Sequence, residues 1–127
     1  MTSRRSILLS ALAVVLAPMP AFARSAFSDA AFKSAAASGQ PVLIEFHADW
    51  CPTCRAQEKV VDALVGEAGF SNVIVLRVLF DTEKDLLQRF GVRQQSTLIL
   101  FKDGQEIGRA VGETSSSGIS NLLNQAV

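Results

Sequence analysis

Both cysteines of the chain, Cys51 and Cys54, stand two residues apart where an apolar, strand-like run meets a helical pattern. A thiolate needs nearby positive potential to exist at neutral pH, and the first turn of a helix supplies it through unpaired N–H groups and the macrodipole. Cys51 falls at that position, and Cys54 lies one turn further in. Two intervening residues also keep the sulfurs close enough to close and reopen a small ring, so that electrons pass to a partner through a mixed disulfide. The spacing therefore predicts a redox-active dithiol.

Three other uses of this cysteine pair compete with redox chemistry. A structural disulfide is disfavoured because closing so short a loop removes little entropy from the unfolded chain. Structural zinc takes four ligands, and the chain has two cysteines and one histidine, so zinc would need carboxylates or a second chain. Covalent haem attachment requires a histidine directly after the second cysteine, where Arg55 stands.

The N-terminal residues have the pattern of a cleavable export signal. Arg4 and Arg5 form a basic start, residues 7–17 are apolar, and Ala21-Phe22-Ala23 is a small-x-small cleavage site, so we expect residues 1–23 to be removed. The apolar run of 11 residues is too short to span a bilayer, which argues against a permanent membrane anchor. The paired arginines leave both the general and the twin-arginine export routes open.

The size and charge of residues 24–127 limit the number of domains and the classes of ligand. These 104 residues suffice for one domain with one core. The leader holds two of the 12 basic residues and none of the 12 acidic ones, so ten basic residues face 12 acidic ones, a formal net charge of −2. Nucleic-acid binding therefore has no electrostatic support. Export to an oxidising compartment would leave the two cysteines disulfide-bonded unless a reductant is supplied from elsewhere.

Alternating helical and strand patterns fill residues 24–127. Capping residues such as Ser28 and stop residues such as Gly39 and Gly91 bound the helices, and Asp103-Gly104 between two apolar runs predicts a hairpin. The predicted elements, in chain order, are helix 28–38, strand 42–46, helix 52–65, strand 73–80, a helix capped within 81–83 and running to 90, strand 97–101, strand 106–111, and a helix capped within 115–117. This order predicts an α/β fold with a central mixed β-sheet, a C-terminal β-hairpin and helices on both faces.

With these elements in place, residues 26–127 resemble the thioredoxin family. The matching segments are Phe46-x-Ala48-Asp49-Trp50-Cys51-x-x-Cys54, Gly91-Val92-Arg93, Thr97-Leu98-Ile99-Leu100-Phe101-Lys102-Asp103-Gly104 and Val111-Gly112. The approach to Cys51 and the downstream Glu58-Lys59 are most similar to the C-terminal periplasmic domain of the transmembrane disulfide reductase DsbD. The resemblance implies a thioredoxin fold.

The resemblance also implies roles for individual residues. Cys51 is expected to be the exposed attacking cysteine, Cys54 the buried resolving cysteine, and Trp50 a shield and contact surface. Glu45 falls where the family keeps a buried carboxylate beneath the active site, and Arg77 where many members have a lysine. Chemistry supports this pair independently, because a buried charge needs a partner and a carboxylate near a dithiol can accept the resolving thiol's proton. A purely structural ion pair stays open as an alternative.

One departure from the family concerns Ser96. Relatives place a cis-proline before the equivalent of Thr97, where it faces the dithiol and helps to form the edge that pairs with substrate backbone. A cis bond before a residue other than proline costs about 2.5–4 kcal/mol, so we predict a trans Gln95–Ser96 bond and a narrowed substrate range. Together with Ser96 and Thr97, Trp50 and Pro52 are the candidate substrate-binding residues.

The sequence therefore predicts a periplasmic thiol:disulfide oxidoreductase, and the resemblance implies that it acts as a reductase or electron relay. Its expected partners are a protein disulfide substrate and a membrane or periplasmic electron donor, and we expect a monomer. The redox-active disulfide Cys51–Cys54 serves in place of a cofactor, and no metal site is predicted. A metal carrier that binds Cu(I) or a shared iron–sulfur cluster through the two thiolates is the main alternative, and an interaction module with little catalysis is a third.

Overall fold

A mixed sheet with helices on both faces organises the chain, in a computed structural model that describes residues 13–15 and 24–127. The five strands are β1 Ser25–Ala26, β2 Val42–His47, β3 Ile74–Leu79, β4 Thr97–Lys102 and β5 Gln105–Val111. The α-helices of the described residues are α1 Asp29–Ser38, α2 Pro52–Val65, α3 Lys84–Phe90 and α4 Ser116–Leu123. Two short 3₁₀ helices are Ala68–Phe70 and Asn124–Ala126. The predicted fold class is confirmed.

The predicted export signal lies outside the described residues, apart from residues 13–15. Within the described ranges, no helix is long and apolar enough to cross a membrane.

The sheet has the strand order β1-β3-β2-β4-β5. β3 runs parallel to both β1 and β2, whereas β4 runs antiparallel to β2 and to β5. The predicted order began with a helix, and this was wrong because β1 precedes it. β1 is only two residues long and is defined by its pairing with Leu76 and Arg77 of β3. No local period could reveal so short a strand.

Different helices cover the two faces of the sheet. On one face, α2 and α4 pack against a buried cluster that includes Leu43 of β2 and Leu98 of β4. On the other face, α1 and α3 pack against a cluster that includes Ile44 and Phe46. Five phenylalanines on this second face stack edge-on or tilted, and they are Phe27, Phe32, Phe46, Phe90 and Phe101. Such aromatic pairs add about 0.5–1.5 kcal/mol each beyond the burial of their area.

Local signals set most element ends as predicted. The Ser28 hydroxyl accepts a hydrogen bond from the N–H of Ala31 and starts α1, and Gly39 ends it with φ of 73°. The hairpin turn has positive φ at both central residues, 51° at Asp103 and 77° at Gly104, as a type I′ turn requires. The predicted side-chain cap of α3 was wrong, because the Glu83 carboxylate accepts from the N–H of Leu79 instead.

This topology brings three chain segments to one edge of the sheet. β2 ends at His47 and leads directly into the start of α2, while antiparallel β4 begins beside the end of β2, with Thr97 opposite Phe46. The loop before β4 therefore meets the N-terminus of α2. That meeting point holds Cys51, Cys54 and Ser96.

Candidate active site

Cys51 is the N-cap of α2, and Cys54 lies in the first turn. The backbone of Cys51 is extended, with φ of −82° and ψ of 114°, and its Sγ accepts a hydrogen bond from the N–H of Cys54 at 3.2 Å. Pro52 follows at the first helical position, where its missing N–H costs nothing. Both cysteines are free thiols. The sequence placement of the dithiol at a helix start is confirmed.

The two thiols differ in acidity. Burial acts to raise the pKa of Cys51, but hydrogen bonds from the Cys54 thiol, the Ser96 hydroxyl and the N–H groups of Cys54 and Thr53 outweigh it, and the net pKa is lowered. Burial is the main cause of the raised pKa of Cys54, and the neighbouring Cys51 adds to it. Since the thiolate is the nucleophile, this asymmetry favours attack by Cys51.

The expectation of an exposed Cys51 was wrong. Cys51 is 3% exposed, almost the same as Cys54 at 2%, because Ala48 and the ring of Phe80 pack against the pair. Access to Cys51 is through an open cleft of about 240 Å³. The cleft is lined by Cys51, Thr53, Gln94, Gln95, Ser96 and Gly112.

Ser96 faces both sulfurs across this cleft. Its hydroxyl oxygen lies 2.9 Å from Cys54 Sγ and 3.5 Å from Cys51 Sγ. No peptide bond among the described residues is cis, so the predicted trans Gln95–Ser96 bond is confirmed. Ser96 instead adopts a left-handed conformation with φ of 61°, which is uncommon for a residue other than glycine.

The backbone of Ser96 is fixed on both sides. Its N–H donates to the carbonyl of Phe46 at 2.9 Å, and its own carbonyl accepts from the N–H of Gly112 at 2.9 Å. The side chain of Gln57 donates to the same carbonyl at 3.0 Å and to that of Glu113 at 2.9 Å. Such bonds explain how a strained conformation persists in the folded protein.

Gln57 was missed by sequence reasoning, although a signal for it existed. It lies three residues after Cys54 on the buried stripe of α2 that continues with Val61 and Leu64, and it is 4% exposed. A polar side chain on such a stripe must find a hydrogen-bonding partner. Its partners, however, belong to loops 39 and 56 residues further along the chain.

Glu45 and Arg77 form the predicted ion pair. They stand opposite each other on β2 and β3, and Arg77 Nε lies 2.8 Å from Glu45 Oε1. Arg24, which the sequence did not suggest, contacts the same carboxylate and also reaches Asp62 of α2 at 2.7 Å. Glu58 of α2 joins the cluster through Arg77 at 3.2 Å. The cluster thus ties the sheet to the helix that carries Cys54.

His47 and Asp49 flank the site at the end of β2. The His47 ring is buried, with Nε2 3.0 Å from Asp49 Oδ1 and 3.7 Å from Glu58 Oε2. Asp49 itself is exposed, and its carbonyl accepts from the Arg55 side chain at 3.0 Å. His47 is therefore packed into the end of β2 and does not reach into the cleft as a free side chain.

The other predicted substrate-binding residues differ in exposure. Trp50 is 60% exposed, and its indole N–H donates to Asp81 Oδ2 at 2.7 Å. Pro52 is also exposed at the start of α2. Thr97 is buried, and its hydroxyl donates to the carbonyl of Gln94 at 2.7 Å, so it shapes the loop from inside. Trp50 and Pro52 therefore offer surface to a partner, whereas Thr97 does not.

The described residues contain no group of three or more His, Cys, Asp or Glu side chains arranged to hold a metal ion. The chemistry available at the site is that of the two thiols, the Ser96 hydroxyl and the neighbouring ionic cluster.

Comparison with known proteins places this site in a family. The sequence profile of the thioredoxin family matches residues 24–125. Thioredoxin from Chlamydia caviae is 39% identical over 94 residues, covering 74% of this chain and 89% of that protein, and thioredoxin 1 from Synechococcus elongatus is 34% identical over 102 residues, covering 80% and 94%. The crystal structure of Trxlp from Edwardsiella tarda EIB202 superposes with a TM-score of 0.76 at 48% identity, covering 80% of this chain and 98% of that one. Thioredoxins exchange thiols and disulfides without a cofactor. The chain is therefore a member of the thioredoxin family of thiol-disulfide oxidoreductases.

Proposed function

We propose that this oxidoreductase is exported to the periplasm and reduces the disulfides of a narrow set of protein substrates. The observation that carries the proposal is the asymmetric dithiol, in which the pKa of Cys51 is lowered and that of Cys54 is raised. Export rests on the basic, apolar and small-x-small pattern of residues 1–23. The reducing direction rests on the resemblance of the segment around Cys51 to the C-terminal domain of DsbD.

The reaction proceeds in two exchanges. The Cys51 thiolate attacks one sulfur of the substrate disulfide, an S–S bond forms, and the electron pair leaves on the other substrate sulfur, which takes a proton from water. Cys54 then loses its proton and attacks Cys51 Sγ, which closes the Cys51–Cys54 disulfide and releases the second substrate thiol. Two electrons and two protons pass to the substrate.

Proton management is assigned to the Glu45–Arg77 pair. Glu45 lies two residues after Leu43 on β2 and therefore shares the face of the sheet that α2 covers. Through Arg77 the carboxylate is connected to Glu58, four residues after Cys54 on the same helix. Arg77 stays protonated and orients Glu45, and the Glu45 carboxylate is the proposed acceptor of the Cys54 proton.

The narrow substrate range is assigned to the loop before β4. Both polar backbone groups of Ser96 are hydrogen-bonded within the protein, so neither is a free partner for an incoming chain. Recognition then depends on the exposed ring of Trp50, on Pro52 and on the cleft beside Cys51. A dedicated protein partner suits such a surface better than a range of unfolded chains.

Turnover requires a supply of electrons, since each cycle leaves Cys51 and Cys54 oxidised. We assign that supply to a membrane or periplasmic dithiol donor, and we expect the protein to act as a monomer. Metal analysis of anaerobically purified protein tests the metal-carrier alternative. Stoichiometric copper or iron would favour that alternative, and its absence would favour the reductase.

Trapping tests the proposed mechanism directly. In the Cys54→Ser variant, Cys51 is expected to stay attached to its substrate as a mixed disulfide that survives non-reducing electrophoresis. The Cys51→Ser variant is the matched control and is expected to trap nothing. Equal trapping by both variants, or trapping only by Cys51→Ser, would overturn the assigned roles.

A further inference from the structure

We propose that the Ser96 hydroxyl is a hydrogen-bond switch that serves the two sulfurs in turn. In the reduced protein it donates to the Cys51 thiolate, and once Cys51 is in a mixed disulfide it donates to Cys54 as that thiol ionises. The inference rests on the proposed two-step exchange and adds a catalytic residue to it.

The distances define what the hydroxyl can do. Its oxygen is within hydrogen-bond range of both Cys54 Sγ, at 2.9 Å, and Cys51 Sγ, at 3.5 Å. A serine hydroxyl has one hydrogen to donate and two lone pairs to accept with, so it cannot donate to both sulfurs at once. With Cys51 as thiolate and Cys54 as thiol, the Ser96 O–H donates to Cys51 Sγ. The single S–H hydrogen of Cys54 then donates either to Cys51 Sγ or to Ser96 Oγ.

The backbone explains why the hydroxyl is aimed at the sulfurs. The left-handed φ of 61° at Ser96 is held by hydrogen bonds to Phe46, Gly112 and Gln57, and the residue is 2% exposed. A trans peptide and this conformation together turn a side chain, rather than a proline ring, toward the dithiol. The folded protein therefore keeps Ser96 in an unfavourable backbone conformation, and this conformation places Ser96 Oγ in contact with the two sulfurs.

The switch follows from the change of charge at Cys51. When Cys51 attacks, its negative charge passes to the leaving substrate sulfur, and Cys51 becomes a neutral disulfide sulfur that is a weak acceptor. The Ser96 hydrogen is then free to rotate toward Cys54. As Cys54 gives up its proton, the hydroxyl donates to the new thiolate and stabilises it until it attacks Cys51 Sγ. A hydrogen bond to a charged group shifts such an equilibrium by about tenfold or more.

The other charged groups near the dithiol are the same in wild type and in every variant compared. His47 and Asp49 lie at the end of β2, and Glu58 lies on α2. The ion pair Glu45–Arg77 lies on the face of the sheet that α2 covers. None of these residues is replaced in the variants below. A difference in thiol reactivity between the Ser96 variants and wild type is therefore caused by the hydroxyl or by the backbone of residue 96.

Two substitutions separate the hydroxyl from the backbone. Ser96→Ala removes the hydroxyl and keeps a side chain in the left-handed region, whereas Ser96→Gly removes the hydroxyl and relieves the conformation. Their effects on stability should therefore differ, with Gly the more stable, while their effects on the thiols should agree. Ser71→Ala is the control, because that exposed hydroxyl donates to the carbonyl of Ala68 in the first 3₁₀ helix.

The readouts are the pH profile of Cys51 alkylation and the rate at which Cys54 resolves a preformed mixed disulfide with a small aromatic thiol. Both Ser96 variants are expected to shift the alkylation midpoint upward by about one pH unit and to slow resolution by about tenfold. The Ser71→Ala control should match the wild type in both measurements. Thermal unfolding of each variant confirms that it is folded.

Three results would overturn the switch. Unchanged profiles in both Ser96 variants would show that the hydroxyl has no part in the mechanism, and an effect in only one of the two variants would assign it to the backbone of residue 96. A shifted alkylation profile with an unchanged resolution rate would leave a fixed hydrogen bond to Cys51 and no switch. Failure of the proposed function looks different, since the Cys54→Ser variant would then trap no protein substrate while the small-thiol measurements remain possible.

Discussion

The side-chain amide of Gln57 donates to the carbonyl oxygen of Ser96 at 3.0 Å, a bond from the helix of the dithiol to the loop that faces it. The same amide donates to the carbonyl of Glu113 at 2.9 Å. One buried residue of α2 therefore fixes two loops around the cleft beside Cys51. This arrangement makes the position of Ser96 depend on the helix that carries the two cysteines.

Replacing Gln57 should loosen both loops. We expect Gln57→Leu to lower the free energy of unfolding by about 1–3 kcal/mol, because it leaves two carbonyl oxygens without this donor in a buried site. It should also slow reduction of a protein disulfide. Urea unfolding measures the first effect, with Gln88→Leu on the exposed face of α3 as a control expected to change little. Equal stability of the two variants would contradict the role of Gln57.

Cys51 should be alkylated faster than Cys54 in the reduced, folded protein. An ordinary cysteine thiol has a pKa near 8.5. Because the pKa of Cys51 is lowered, its alkylation rate should rise and level off at a lower pH than that of an ordinary thiol. Because the pKa of Cys54 is raised, its alkylation should need a higher pH. Mass mapping after brief iodoacetamide treatment across this pH range measures both. Faster labelling of Cys54 at neutral pH would reverse the assignment.

Neutralising Glu45 should affect both stability and turnover. Glu45→Gln weakens charge-assisted bonds with Arg77 and Arg24, so we expect a loss of about 1.5–3 kcal/mol in the free energy of unfolding. We also expect turnover to slow by about 10²-fold, with mixed-disulfide formation retained. The control is Asp29→Asn, which makes the same change in an exposed pair with Arg89 and should leave turnover unchanged. Wild-type turnover by Glu45→Gln throughout the neutral pH range would leave Glu45 a structural charge only.

Trp50 should contribute to binding rather than to thiol chemistry. Its ring is 60% exposed beside Cys51, so Trp50→Ala is expected to raise KM for a protein disulfide by about tenfold or more, in the range of interface hot spots. Alkylation of Cys51 should stay close to the wild-type rate. Trp50→Phe keeps a ring and loses the bond to Asp81, so an intermediate KM is expected. A KM unaffected by Trp50→Ala would remove this surface from substrate recognition.

The sequence predicted what local chemistry determines. Ser28 and Gly39 bound α1 because a hydroxyl cap and a left-handed glycine act within a few residues. The dithiol is at the start of α2 because the strand pattern and Pro52 define that boundary. The Glu45–Arg77 pair followed from the family resemblance and from the need of a buried charge for a partner.

What the sequence could not predict depends on contacts between distant segments. Arg24 meets Asp62, which is 38 residues away, and β1 exists only through its pairing with β3. The burial of Cys51 depends on Phe80, which comes from the end of another strand. The left-handed conformation of Ser96 likewise results from bonds to Phe46 and Gly112 rather than from its own preference.

The reduction potential of the Cys51–Cys54 couple tests the central claim most directly. Equilibration with glutathione buffers of known potential, followed by mass measurement of dithiol and disulfide forms, gives this value for the whole folded protein. A reductase account predicts an intrachain disulfide with a potential near that of thioredoxin, about −270 mV. A potential near that of a strong oxidant, about −120 mV, or the absence of a reversible Cys51–Cys54 disulfide, would contradict it.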